Sequence, residues 1–138
     1  MATRVIRAAL AVLALTSLVL GVWATFAPRS FYDDFPGAGH HWVAVDGPYN
    51  EHLVRDFGAL NLAITVVTLF ALVALERVLV IAVALAWLVY QVPHLVYHAR
   101  HTDVFTATSD KVGTIASLAL AVVLPLIVLL YARRLRPD

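Results

Sequence analysis

The sequence contains no cysteine. Disulfide bonds, iron–sulfur clusters, thiolate metal sites and thiol redox chemistry all need cysteine side chains, so each of them is excluded. Charge is also sparse, because Asp, Glu, Lys and Arg together make up only 14% of the chain. Hydrophobic residues reach 62% instead. A typical soluble domain is roughly 45–50% apolar, so the composition favours a membrane protein.

Four long runs without Asp, Glu, Lys or Arg account for the excess of apolar residues. They cover residues 8–27, 57–75, 78–99 and 112–132. Each is close to the roughly 20 residues that a helix needs to cross about 30 Å of hydrocarbon. We therefore predict an all-α fold, a four-helix transmembrane bundle that forms a single integral membrane domain over residues 1–138. The predicted spans are approximately 5–26, 51–74, 78–100 and 110–132.

The first span could also be a cleaved signal peptide. Arg4 and Arg7 precede it, and residues 22–24 resemble a small-residue cleavage site. A signal peptide has an apolar core of only 7–15 residues, however, and the uncharged run here is longer. We expect an uncleaved span.

The distribution of charge predicts the orientation of the chain. Six arginines, but only Glu76 and Asp138 among the acids, lie together on one side of the four-span arrangement: Arg4, Arg7, Arg77, Arg133, Arg134 and Arg136. Basic residues concentrate on the cytoplasmic side of membrane proteins. We therefore expect a multi-pass protein of the plasma membrane with both termini cytoplasmic. The long loop at residues 28–50 should then face outward and fold over the outer mouth of the bundle.

Small and polar residues indicate how the helices begin and where they approach each other. Asn50 is a plausible N-cap for the second span. Ser17 and Gly21 form a small-xxx-small pair that lets another helix approach closely, and Gly113 and Ser117 form a second such pair.

The stretch "QVPHLVYHARH" places polar residues on one face of the third span. Gln91, His94, His98 and His101 follow the i, i+3, i+7 and i+10 pattern of a single helix face. Two neutral imidazoles four residues apart can hold one metal ion. The spacing therefore makes the third span a candidate for ligand or metal binding.

The second span carries a matching pair at its start. His52 and Asp56 are four residues apart, with Arg55 beside them. Ionisable groups within spans are rare and tend to face the interior, so we expect Asp56 to be buried with a cationic or histidine partner. If the second and third spans pack together, four ligands could form a metal site: His52, Asp56, His94 and His98. Nitrogen and oxygen donors without sulfur suit zinc, copper or iron.

The wider predicted pocket consists of His52, Arg55, Asp56, Asn61, Gln91, His94 and His98. Asn61 either extends this network or makes an interhelical hydrogen bond that stabilises the bundle. Two other interpretations remain open. The polar groups could satisfy one another without a metal, or the histidines could simply lie in the lipid headgroup region.

The segments "GPYNEHLVRDFGALNLA" and "QVPHLVYHARH" resemble small actinobacterial integral membrane proteins of unknown function, over nearly all of the chain. In architecture only, the chain is also similar to DoxX-like four-helix membrane proteins. The resemblance implies the four-span plan and supplies no catalytic residue.

Three functional hypotheses follow. The first is a pocket near the outer leaflet that binds a metal ion or a small ligand. The second is a small membrane enzyme that uses the His/Asp cluster for metal-assisted or acid–base chemistry, with its catalytic residues unassigned. The third is a structural accessory subunit of a membrane complex. We expect the lipid bilayer as the immediate partner, together with a second copy of the chain or a membrane partner subunit, and no nucleic acid.

Overall fold

The computed structural model describes residues 1–135, and long helices dominate this part of the chain. The elements in chain order are α1 (Ala2–Phe26), α2 (Pro28–Asp34), β1 (Pro36–Gly37), β2 (His40–His41), α3 (Glu51–Ala74), α4 (Arg77–Arg100), a 3-10 turn (Thr102–Val104) and α5 (Thr108–Ala132). The two short strands pair antiparallel, with Pro36 opposite His41 and Gly37 opposite His40.

Helices α1, α3, α4 and α5 are long and apolar enough to cross a membrane, with mean hydropathy between 2.0 and 2.7 in their most apolar windows. The prediction of an all-α protein with four membrane-length helices is therefore confirmed. The helix bounds agree with the predicted spans to within a few residues. A multi-pass membrane protein is the class that this architecture defines.

The four long helices form a ring in which neighbours differ in how closely they pack. Helix α1 packs extensively along α3, α4 packs along α5, and α1 also contacts α5. Helices α3 and α4 touch much less, although only two residues connect them. The α3–α4 side is therefore the most weakly packed side of the bundle.

Two hydrophobic clusters define the ends of the bundle. One contains Ile6, Ala71, Val80 and Ala132, which come from the start of α1, the end of α3, the start of α4 and the end of α5. We call this the termini end. The other brings together the end of α1, helix α2 and the start of α3 through Ala24, Phe31 and Val54, and we call it the loop end.

Small residues explain the close packing of α1 on α3. Ser17 and Gly21 are both buried there, and the Ser17 and Thr65 hydroxyls share a 2.7 Å hydrogen bond. A Cβ atom added to Gly21 would lie 2.9 Å from the Leu62 backbone nitrogen. A Cβ on Gly58 would lie 2.6 Å from the Thr25 backbone nitrogen. The predicted close approach at Ser17 and Gly21 is therefore confirmed.

The second small-residue pair, Gly113 and Ser117, does not lie at a close helix–helix contact as predicted. Ser117 is exposed, and a Cβ on Gly113 would lie 2.9 Å from the ring of Trp42. The expectation of a helix–helix contact here was wrong, because Gly113 makes room for an aromatic side chain of the loop.

The loop at residues 28–50 contacts all four long helices. Helix α2 packs against α1 and α3. The Tyr97 hydroxyl of α4 donates to Asp46 (3.3 Å), and at the start of α5 the Asp110 carboxylate accepts from Trp42 Nε1 (3.0 Å). His40 Nδ1 lies 2.6 Å from the same carboxylate oxygen. At the end of the loop, the Asn50 side chain accepts from the Leu53 N–H (3.2 Å), which confirms the predicted N-cap of α3.

Candidate functional site

A polar face on the C-terminal half of α4 is the strongest candidate site. Gln91 is buried, and Tyr90, His94 and His98 are half-buried. The helix brings these residues to one side because Gln91, His94 and His98 are spaced by three and four positions. The structure therefore keeps together the three α4 residues that the sequence analysis selected.

Aromatic rings form a continuous row of contacts along this face. The ring centroids of Trp87 and Tyr90 are 6.1 Å apart, and Tyr90 stacks on His94 at 6.0 Å with an interplanar angle of 24°. His94 in turn lies 4.9 Å from His98. Contacts between neighbouring rings contribute favourable packing energy, so the two imidazoles are part of a packed aromatic row.

Asn61 connects the polar face to α3. Its Nδ2 donates to the Tyr90 hydroxyl (3.1 Å) and to the carbonyl of Phe57 on its own helix (2.8 Å). This is the interhelical hydrogen bond that the sequence analysis allowed for Asn61. Trp87, which precedes Tyr90 by one turn of α4, donates through its Nε1 to the Thr68 hydroxyl of α3 (3.0 Å). Two hydrogen bonds therefore join the loosely packed helices α3 and α4.

Three buried atoms on the polar face have no hydrogen-bond partner among the described residues: Gln91 Oε1, His94 Nδ1 and His98 Nδ1. An unsatisfied buried polar group costs about 1–3 kcal/mol, so most such groups in proteins have a partner. The three atoms are consecutive on one helix face. The residues that carry them span two helical turns, about 10 Å along the axis, so a small molecule with several polar groups could pair with them.

His52, Arg55 and Asp56 lie on the outer surface of α3, away from this face. His52 Nε2 is 3.2 Å from Asp56 Oδ2, and the two side chains are 87% and 56% exposed. Arg55 donates to Glu51 Oε1 (2.8 Å) and to the Thr25 carbonyl near the end of α1. The expectation that Asp56 is buried was wrong.

The helical period of α3 explains this correction. Val54, Gly58 and Asn61 are spaced by four and three residues, and they occupy the buried face. His52 and Asp56 share a different face, which the period directs outward. Asp56 has the histidine partner that was expected, but this partner is on its own helix.

The four predicted metal ligands are not brought together. Among residues 1–135, no group of three or more His, Cys, Asp or Glu side chains could hold a metal ion. The pair His52–Asp56 is on the exposed face of α3, and the pair His94–His98 is on the half-buried face of α4. The two pairs lie on different helices and do not form one metal site.

His101 is exposed at the C-terminus of the helix, where its ring stacks on Tyr97 at 4.3 Å. Asp46 and Trp87 are not among the site residues predicted from the sequence. Trp87 could have been found, because it precedes Gln91 by four residues and so continues the same face. Asp46 lies in an irregular loop, and no periodic pattern indicates its contact with Tyr97.

Comparisons with protein-family models, with curated proteins and with solved structures gave no significant match. The geometry of the polar face is therefore the basis for assigning a function.

Proposed function

We propose that this integral membrane protein binds a small amphipathic ligand at the polar face of α4, near the loop end of the bundle. The observation that carries the proposal is the row of three buried, unpartnered atoms, Gln91 Oε1, His94 Nδ1 and His98 Nδ1. A ligand head group with hydrogen-bonding atoms would pair with them. The apolar part of the ligand would lie against the hydrophobic surface of the helices.

The position of the site favours this kind of ligand over a fully polar one. The polar face starts beside Tyr90 and Asn61 in the weakly packed α3–α4 side and continues to the end of α4. Large apolar side chains on the same helix, including Val89, Val92 and Val96, are exposed. A molecule that enters from the bilayer could therefore keep its apolar part in lipid while its head group reaches the imidazoles.

Native mass spectrometry of protein purified from its own membrane in a mild detergent tests the proposal. We expect a small molecule, one per chain, that is retained by the wild-type protein and lost in Gln91→Leu and His94→Phe. The matched control is His52→Phe, which changes an exposed histidine on α3 and should retain the molecule. Wild-type protein that carries no such molecule, or equal retention by all variants, would contradict the proposal.

A second candidate is a metal ion held by His94 and His98. Both Nδ1 atoms are unpartnered, and the two imidazoles have the spacing at which a helix can present two ligands to one metal. Gln91 Oε1 could supply an oxygen ligand, and the donor set would suit zinc, copper or iron. Elemental analysis should then find about one metal per chain in the wild type and in His52→Phe, and none in His98→Phe.

We also propose that the protein lies in the plasma membrane, with the termini end in the cytoplasm and the loop end outside. The concentration of arginines at the termini end supports this orientation. An enzymatic role and an accessory-subunit role remain hypotheses from the sequence. The subunit hypothesis gains support if Gln91→Leu, His94→Phe and His98→Phe change neither small-molecule retention nor stability.

A further inference from the structure

A groove of about 520 Å³ lies between α4 and α5 at the termini end of the bundle, far from the polar face. Its lining combines apolar side chains with two arginines: Arg77, Ile81, Leu126, Leu129, Leu130 and Arg133. A helix rises 1.5 Å per residue, so the two arginines lie roughly 6–10 Å closer to the end of the bundle than Ile81 and Leu126. The groove therefore has a cationic rim and an apolar interior.

The two arginines at the rim have no acidic partner among residues 1–135. The ion pairs in this part of the chain involve neither Arg77 nor Arg133. Arg134 lies in an adjoining depression with Leu130, and its guanidinium is 5.3 Å from the ring centroid of Tyr131. Three arginines thus lie at or beside the apolar groove, at the same end of the bundle.

We infer that this groove binds one anionic phospholipid. The head-group phosphate would lie between Arg77 and Arg133, because guanidinium groups pair with phosphate oxygens through two parallel hydrogen bonds. One acyl chain would follow Ile81 and the leucines of α5. Basic pockets between membrane helices recognise anionic lipid head groups by this combination of charge and apolar contact. A zwitterionic lipid would bring its own cation close to the arginines and would bind less well.

Native mass spectrometry of the full-length protein tests the inference, with phosphatidylglycerol and phosphatidylcholine of identical acyl chains added separately. Two arginines near a phosphate should make the wild type prefer phosphatidylglycerol by about thirtyfold. In the double variant Arg77→Gln/Arg133→Gln, the preference should fall to about threefold or less, because the residual positive charge of the termini end acts only at a distance.

The double variant Arg4→Gln/Arg7→Gln is the matched control. It removes the same number of charges from the same end of the bundle, and both side chains are exposed on α1, outside the groove. This variant should keep most of the preference for phosphatidylglycerol. Equal losses in the two double variants would show that general charge attraction is the cause, and this would overturn the inference. The inference would also be overturned if the wild-type protein showed no preference for phosphatidylglycerol over phosphatidylcholine.

Discussion

At the scale of single residues, a few buried hydrogen bonds decide how α3 and α4 are held together. The Thr68 hydroxyl donates to the Ile64 carbonyl (2.6 Å) and accepts from Trp87 Nε1 (3.0 Å), so both polar groups are satisfied. Trp87 and Thr68 are almost completely buried. Because α3 and α4 share few other contacts, this bond and the one between Asn61 and Tyr90 carry much of the connection between them.

Replacing Thr68 by valine should therefore destabilise the protein. The substitution preserves the shape of the side chain but leaves the Trp87 N–H buried without an acceptor. We expect a loss of about 1–2 kcal/mol in the free energy of unfolding, measured by SDS titration in mixed micelles. Thr68→Ser should keep most of the stability, since its hydroxyl can still accept.

The control for this experiment is Thr16→Val on α1. The Thr16 hydroxyl donates only to the Val12 carbonyl of its own helix, and the residue is exposed. Its replacement should change the free energy of unfolding by less than about 0.5 kcal/mol. Equal effects of Thr68→Val and Thr16→Val would show that the buried bond between α3 and α4 contributes little.

At the scale of helices, the contact between α1 and α3 depends on two glycines, which have no side chain. Gly21 and Gly58 let the two backbones approach so closely that an added Cβ would collide with the backbone of the other helix. The Ser17–Thr65 hydrogen bond lies within the same contact. Close backbone approach of this kind is a main source of association between helices in a bilayer, where hydrophobic burial supplies little.

Gly58→Ala should push α1 and α3 apart. The new methyl group would lie 2.6 Å from the Thr25 nitrogen and 3.0 Å from the Ala24 carbonyl carbon, and backbone atoms cannot move aside as a flexible side chain could. We expect a cost of about 1–3 kcal/mol in the free energy of unfolding by the same SDS titration. Ala59→Val, on the exposed neighbouring position, adds more volume and should cost far less. A tolerated Gly58→Ala would show that the helices are not in such close contact.

Sequence patterns predicted the helices better than they predicted which faces meet. The long uncharged runs established four helices, and Ser17 with Gly21 identified one packing face. The start of α3 differs from the prediction, because His52 and Asp56 are exposed although their polarity suggested a buried site. The inward face instead follows Val54, Gly58 and Asn61, an apolar, a small and a polar residue that are spaced by four and three positions. Periodicity was a better guide to burial than the chemical character of individual residues.

At the scale of the whole molecule, contacts distant in sequence tie the loop end together. Asp110 at the start of α5 accepts from Trp42, and its carboxylate also lies beside His40. No sequence pattern indicates which helix an irregular loop will contact, so these pairs became visible only in the structure. The four membrane-length helices also place the two ends of the bundle on opposite sides of any bilayer that they cross.

The absence of cysteine makes the orientation easy to measure. We expect a single Val45→Cys substitution in the loop to react with a membrane-impermeant maleimide on intact cells, since Val45 is exposed at the loop end. Thr3→Cys, near the start of α1, should react only after lysis, because the arginines of the termini end favour the cytoplasm. The reverse labelling pattern would contradict the proposed orientation.

The central claim is that the polar face of α4 is completed by something outside the chain. A high-resolution experimental density map of the protein, purified from its own membrane without added ligand, tests it most directly. We predict non-protein density within hydrogen-bond distance of Gln91 Oε1 and at least one of the Nδ1 atoms of His94 and His98. A map in which these atoms bond to one another or to other side chains, with no density between them, would contradict the claim.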